Sequence, residues 1–129
     1  MIDHALITWI SCKVKFLGVR GDIPSLCKAM DAFVMPSLFE GLPVVGIEAQ
    51  AAGLPCLFST DVTDEVVILP ESDRISLKES NEEWADRILK LQNCGIDRKE
   101  AIKPIQKAGY DINTETEKIT KMYLNWAIK

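Results

Sequence analysis

Two short apolar segments with a helix-length segment between them place the strongest constraint on the fold. The segments "AFVMP" (residues 32–36) and "LPCLFS" (residues 54–59) are predicted strands, apolar on both faces. Residues 43–52 form the predicted helix between them, followed by Gly53, a residue type common just past helix ends. Strands without alternation are typical of a parallel sheet covered by helices on both sides, so we predict an α/β, Rossmann-like fold.

Further strands and a short helix are predicted around this unit. "KVKFLGV" (residues 13–19) alternates and then turns apolar, which predicts a strand. "EVVIL" (residues 65–69) predicts another strand, and "ISL" (residues 75–77) a last edge strand. Asp22 is expected to cap a short helix that starts near Pro24. The residues of this helix predicted to face inward are Leu26, Ala29 and Met30.

The last third of the chain is predicted to be helical. "NEEWADRILKLQN" begins a helix at Asn81, and two more helices are predicted over residues 97–107 and 113–128. The charged run "ESDRISLKESNEE" before them is predicted to be a solvated loop. The first helix has one apolar stripe, made of Trp84, Ile88 and Leu91.

Length and composition are those of one globular domain. The chain has 129 residues and is 47% hydrophobic, which is enough for a core. We expect one partial domain over residues 1–129, with its sheet core in 13–78 and its C-terminal helices in 81–129.

Charge and cysteine usage exclude several classes of function. A net charge of −4 argues against a nucleic-acid partner, although backbone amides could still hold a phosphate. The four cysteines show no C-x-x-C spacing, and there is one histidine, so a zinc site and a redox dithiol are not expected and core packing is the favoured role of the thiols. No apolar run approaches the roughly 18 residues of a membrane span, and no signal peptide is evident, so the expected location is the cytoplasm, including the cytoplasmic face of the membrane.

The loop over residues 37–42 is the candidate site on geometry. It follows a predicted parallel strand, and ligands of open α/β sheets bind at the carboxyl ends of strands. Gly41, Leu42 and Pro43 lead into a helix N-terminus, where free amides and the helix dipole favour an anion such as a diphosphate. Glu40 has two interpretations: it accepts hydrogen bonds from sugar hydroxyls, or it is an acid that interacts with the helix dipole.

The placement of Glu48 needs an explanation because its neighbours on the predicted helix are apolar. The residues three and four positions away are Val44, Val45, Ala51 and Ala52. An ionised carboxylate against such a face is costly unless it is hydrogen-bonded. Either the face borders solvent and water bonds the acid at the helix edge, or a ligand such as a pair of ribose hydroxyls supplies donors.

The glutamates and their flanking segments resemble a known family. "EGLPVVGIE" with "AQAAGLPCLFS" after it, and "VKFLGVRGDIPSLCKAMDAFVMPSLFEG" before it, resemble the donor-binding half of family 4 retaining glycosyltransferases. These enzymes have two facing Rossmann-like domains, the GT-B architecture. The resemblance covers most of the chain and points to the bacterial exopolysaccharide and capsule members.

This resemblance implies a role for each matching residue. Glu48 would hold the donor ribose, and Glu40, the implied catalytic residue, would contact the donor sugar. Gly41, Leu42 and the Pro43 turn would present amides near the diphosphate. Val19 and Arg20 would lie at the nucleobase, with an exposed loop cation as the alternative for Arg20. The reaction would need no metal or other cofactor and would retain anomeric configuration, with a nucleotide-diphosphate sugar as donor and a glycan or lipid-linked acceptor.

The chain also departs from the family pattern. The N-terminal acceptor domain, and the strand, glycine-rich turn and basic helix that hold the donor diphosphate, have no counterpart, and His4 does not match the acceptor-side histidine. The chain alone is therefore expected to bind donor weakly and to lack transferase activity. An unpaired central strand edge predicts a homodimer, or a substitute strand from residues 5–10.

Two other classes of function remain open from the sequence. One is a non-catalytic flavodoxin-like nucleotide-binding or interaction module, and the other is a remnant with a structural role. The face of the last helix that carries Ile119, Met122, Tyr123 and Trp126 either packs on its own domain or stays exposed.

Overall fold

The fold alternates helices and strands. The computed structural model describes residues 13–127. The elements in chain order are α1 (Ile23–Ala29), β1 (Phe33–Met35), α2 (Val44–Ala51), β2 (Cys56–Ser59), a 3-10 turn (Asp64–Val66), β3 (Asp73–Ile75), α3 (Asn81–Gln92), α4 (Ile102–Lys107) and α5 (Ile112–Ala127).

The three strands form one parallel sheet in the order β1-β2-β3. Phe33 lies opposite Cys56, and Leu57 lies opposite Asp73, so β2 is central. All four residues of β2 are buried, which explains its apolar run on both faces. The predicted α/β class and parallel sheet are confirmed. Within residues 13–127, β1 and β3 each keep one unpaired edge, and pairing of an edge with a second copy of the chain stays a prediction.

Helices cover both faces of the sheet. Phe58 of β2 packs with Ile47 of α2 and Ile105 of α4 in the larger core cluster, whereas Leu57 packs on the opposite face with Leu91 of α3. Gly46 lets α2 approach closely, since a Cβ there would lie 2.7 Å from the ring of Phe58.

The predicted strand over residues 65–69 is wrong, because a buried side chain takes its backbone hydrogen bonds. The amide of Gln50 is fully buried beside this segment. Its oxygen accepts from the Ile68 and Leu69 amides, both at 2.9 Å, and its nitrogen donates to the Val66 carbonyl at 2.7 Å. Because these backbone amides and this carbonyl bond to the glutamine side chain, they are not available to pair with a neighbouring strand. The segment forms a 3-10 turn and a loop instead.

The predicted strand over residues 13–19 is also wrong. This segment has no regular structure and is exposed throughout, with Phe16 97% accessible. An alternating pattern becomes a strand only where a neighbouring strand takes up its hydrogen bonds, and no described strand lies beside it. The expected substitute strand over residues 5–10 lies outside the described residues.

Helix α1 begins at Ile23, near Pro24 as predicted, but differs from its prediction in two ways. The Asp22 side chain does not cap it. The carboxylate of Asp22 instead accepts two hydrogen bonds from Arg20. Its buried residue is Cys27, whereas the predicted inward residues Ala29 and Met30 are exposed.

The C-terminal helices are present at shifted boundaries. Ser80 caps α3 through the Glu83 amide at 3.1 Å, and the predicted Trp84 stripe packs on the sheet. Helix α4 begins at Ile102 rather than near residue 97, and the edge strand begins at Asp73. Helix α5 has no buried residue, so its apolar side is exposed in the described chain.

Candidate functional site

The candidate site lies at the carboxyl ends of β1 and β2. The loop after β1 carries Glu40, which forms an isolated parallel bridge with Val62 in the loop after β2. Val62 is buried, and its amide donates to the Ser59 carbonyl at 3.2 Å. The bridge therefore ties the two loops together and sets the backbone position of Glu40. This is the edge of the sheet at which the sequence predicts a ligand.

Glu40 is half-buried, and a neighbouring serine donates a hydrogen bond to its carboxylate. The Ser37 hydroxyl donates to its Oε1 at 3.3 Å. The carbonyl of Ser37 in turn accepts a hydrogen bond from the buried Ser59 hydroxyl at the end of β2. Among residues 13–127, no lysine or arginine forms an ion pair with Glu40. Its second oxygen accepts no hydrogen bond from a side chain in the described part of the chain and can accept one from a hydroxyl donor.

The N-terminus of α2, at Val44, lies three residues after Gly41. The buried Pro43 precedes the helix as its N-cap residue, and no side chain caps it. The first-turn amides therefore have no side-chain acceptor, and the positive end of the helix dipole faces the loop. Gly41 and Leu42 are exposed. The predicted turn residues are thus brought together with Glu40 at one helix end.

Glu48 is exposed on α2, which answers the question of how an apolar helix accommodates it. The carboxylate faces solvent and forms no ion pair in the part of the chain that the structure describes. Burial raises the pKa of the nearby Cys27 thiol, and the negative charge of Glu48 raises that pKa further. Glu48 therefore lies close to α1, and within residues 13–127 its oxygens form no ion pair that would compete with donors from a ligand.

Among the described residues, Val19 and Arg20 form no hydrogen bond or ion pair with the turn that carries Glu40. Val19 is fully exposed. Arg20 forms a bidentate ion pair with Asp22 beside the start of α1, and Asp22 raises its pKa. Arg20 is thus exposed but not a free cation, and its role at a nucleobase stays a prediction.

Arg74 and Ser59 also belong to the site, and sequence reasoning missed both, whereas Ser37 lies in the predicted loop over residues 37–42 but had no predicted role. Arg74 falls in the charged run that is predicted to be solvated, yet it is half-buried and donates to the Thr60 and Val62 carbonyls at 2.6 and 2.5 Å. A serine at the end of an apolar strand, as at Ser59, is the one sequence signal that could have pointed here. The position of Arg74 depends on the pairing of β3 with β2, which no local pattern shows.

The thiols divide between core and surface. Cys27 and Cys56 are buried, as predicted, and burial raises the pKa of Cys56 to about 12. Cys94 is exposed, so core packing is the wrong role for it. Cys12 lies outside the described residues. Among residues 13–127, no helix is both long enough and apolar enough to cross a membrane.

A cavity of about 190 Å³ lies at the opposite end of the sheet and is not a candidate site. Pro55 lines it just before β2, as does Arg98. The guanidinium of Arg98 already donates to the Lys28 and Met30 carbonyls at the end of α1, so it is not free for a ligand.

Comparison with known proteins identifies the family. The model of the family described as glycosyl transferases group 1 matches residues 3–93. EpsF of Bacillus subtilis (strain 168), a protein named as a glycosyltransferase, is 41% identical over 112 residues, which cover 85% of this chain and 29% of EpsF. No solved structure gives a significant match.

Shorter matches are to enzymes named for lipid-linked substrates. The UDP-Gal:alpha-D-GlcNAc-diphosphoundecaprenol alpha-1,3-galactosyltransferase of Escherichia coli is 44% identical over 61 residues, 47% of this chain and 16% of that enzyme. The N,N'-diacetylbacillosaminyl-diphospho-undecaprenol alpha-1,3-N-acetylgalactosaminyltransferase of Campylobacter jejuni is 50% identical over 40 residues, 31% of this chain and 11% of that enzyme. The chain thus spans less than a third of the length of each of these relatives. The matched family model covers more than half of the chain, and the chain belongs to the group 1 glycosyl transferases.

Proposed function

We propose that this chain binds the donor in a retaining glycosyltransferase, which transfers a sugar from a nucleotide-diphosphate sugar to a glycan or lipid-linked acceptor. The observation that carries the proposal is Glu40 beside the uncapped N-terminus of α2, with a second carboxylate, Glu48, exposed on the same helix. Neither is in an ion pair within residues 13–127. Unpaired carboxylates accept hydrogen bonds from hydroxyls, and a helix N-terminus suits a phosphate. A nucleotide sugar carries both kinds of group.

Each residue has a stated role in this proposal. The two oxygens of Glu48 accept from the two ribose hydroxyls. Glu40 contacts the donor sugar through the oxygen that Ser37 leaves free, and because its carboxylate is half-buried its hydrogen bonds are stronger than in bulk water. Gly41 and Leu42 present amides toward the diphosphate, and Pro43 fixes the turn that aims them. Val19 and Arg20 lie on the nucleobase side.

The diphosphate requires more positive charge than the described site supplies. The chain has four arginines, and each holds a partner within the chain. Arg20 binds Asp22, Arg87 binds Asp73, and Arg74 and Arg98 bind backbone carbonyls. In this proposal the remaining charge and the acceptor site come from parts of a longer protein, as the greater length of the relatives supports.

Nucleotide binding tests the donor role. Thermal unfolding of the chain is followed with UDP and with GDP, because one relative is named for UDP-Gal and the base is open. Ligand at about ten times Kd stabilises by about 1.4 kcal/mol, which raises the Tm by several degrees. We expect Glu48→Gln to lose this shift and Glu117→Gln, an exposed acid on α5, to keep it. No shift with either nucleotide would overturn the proposal and favour an interaction module.

The isolated chain is expected to lack turnover. Incubated with UDP-galactose and a lipid-linked or glycan acceptor, the purified 129-residue chain should release no UDP above the rate without protein. The reason is that a leaving diphosphate needs its developing charge stabilised, and the residues placed at the site include no lysine and no arginine without a partner. UDP release that depends on the chain and disappears in Glu40→Gln would contradict this expectation while supporting the role of Glu40.

A further inference from the structure

We infer that Arg74 is a positioning residue, which holds Glu40 in the geometry that reads the donor sugar. The inference rests on the proposed contact between Glu40 and the sugar and adds the means by which the chain keeps that carboxylate in place. It begins from the guanidinium of Arg74 on β3, which touches none of the predicted site residues directly but donates to the loop that pairs with Glu40.

The first link runs from Arg74 to the loop after β2. One nitrogen, Nη2, donates to the carbonyls of Thr60 and Val62 at 2.6 and 2.5 Å. The Thr60 amide also donates to the Ile75 carbonyl at 3.0 Å, so this loop is fastened to the end of β3 at two places. A planar, permanently charged guanidinium suits this task because its donors are fixed relative to one another.

The second link runs from the loop to Glu40. Val62 forms the parallel bridge with Glu40, and this bridge is isolated, so no longer ladder keeps the pair in register. The carboxylate is fixed separately, because Ser59 holds the Ser37 carbonyl and Ser37 donates to Glu40. Glu40 is thus positioned twice, through its backbone by the Arg74 loop and through its side chain by the two serines.

The burial of Arg74 supports this role. Its Nε is enclosed and has no hydrogen-bond partner among residues 13–127. A buried donor without a partner is unfavourable for folding. An arginine in a surface salt bridge would keep its Nε in water, so the enclosed position of Arg74 indicates a role beyond a surface ion pair. Arg87 on α3 shows the contrast, since it forms an exposed ion pair with Asp73, the residue before Arg74.

The test separates loss of sugar recognition from loss of stability. Binding of UDP and of UDP-galactose to the full 129-residue chain is measured for wild type, Arg74→Gln and the control Arg87→Gln. We expect Arg74→Gln to weaken UDP-galactose relative to UDP by about tenfold, the factor that corresponds to one lost hydrogen bond. Arg87→Gln should leave the ratio unchanged. Equal losses for both ligands would show a purely structural role and overturn the inference.

A second measurement needs no ligand. Amide hydrogen exchange is compared over residues 37–42, 60–63 and the β1–β2 ladder. Arg74→Gln should speed exchange in the two loops and spare the ladder, whereas unchanged exchange over residues 37–42 would overturn the inference. If Arg74→Gln does not fold, Arg74→Lys carries the test and should show a smaller loss of the same sugar-specific kind. Failure of wild type to bind either ligand would overturn the proposed function, and the exchange result would still decide whether Arg74 holds Glu40.

Discussion

Gln50→Met is expected to destabilise the chain by about 3–5 kcal/mol, because buried groups left without partners cost about 1–3 kcal/mol each. Methionine is close to glutamine in length and volume, although it lacks the branch at Cδ, so most of the core packing is kept and the main loss is of hydrogen bonds. Three loop groups lose their partner, namely the Val66 carbonyl and the Ile68 and Leu69 amides. Domains of this size have a typical free energy of unfolding of about 5–15 kcal/mol, so the variant should be marginally folded.

Urea unfolding followed by circular dichroism measures this effect. The matched control is Gln92→Met, since Gln92 is an exposed glutamine on α3 and its replacement should change stability by less than about 0.5 kcal/mol. A Gln50→Met variant within about 1 kcal/mol of wild type would show that water replaces the amide, and that the loop over residues 66–69 does not depend on it.

Gly53→Ala is expected to destabilise the chain by about 3 kcal/mol, the second largest effect. Gly53 has φ +74°, and an L-residue in that conformation costs about 1–2 kcal/mol. A Cβ there would also lie 2.7 Å from the Cα of Arg98, which is backbone and cannot rotate away. Movement of Arg98 would weaken its hydrogen bonds to Lys28 and Met30, which hold the end of α1.

The matched control for this second prediction is Gly95→Ala. Gly95 has φ +64°, and nothing lies within 4 Å of a Cβ built there, so it reports the conformational cost alone, about 1–2 kcal/mol. The difference between the two variants in thermal or urea unfolding measures the close approach of Gly53 to Arg98. Equal effects would mean that Arg98 adjusts freely and does not fasten α1.

Local sequence predicts correctly those elements that need only apolar packing or a helix cap, and no specific hydrogen-bond partner from elsewhere in the chain. Strand β2 needs only apolar neighbours on both faces, and α3 needs only a cap and a stripe, so α3 begins at Asn81 and Trp84 packs on the sheet, both as predicted. Residues 13–19 and 65–69 have equally good strand patterns and form none. The first segment has no neighbouring strand in the described chain, and the second gives its hydrogen bonds to Gln50.

In the candidate site, too, the local features follow from the sequence and the contacts between distant residues do not. The turn from Glu40 to Pro43 and the helix that carries Glu48 are local, so their order and spacing follow from the sequence. The contacts that position Glu40 come from Ser59 and Arg74, which are distant in the chain. The charged run around Arg74 is indistinguishable from a solvated loop until β3 pairs with β2.

The sequence by itself therefore determined the α/β class, the parallel sheet, the family and the short segment that carries both acids. The class and the sheet follow from hydrophobic pattern and turn residues, which act over a few positions, whereas the family follows from the resemblance of residues 14–59 to its members. Tertiary structure alone decided that Glu48 faces solvent, that Arg74 binds the loop after β2 and that Gln50 replaces a strand ladder. Each of these depends on which polar groups meet after the sheet has formed, because a buried donor or acceptor takes whatever partner the fold brings to it.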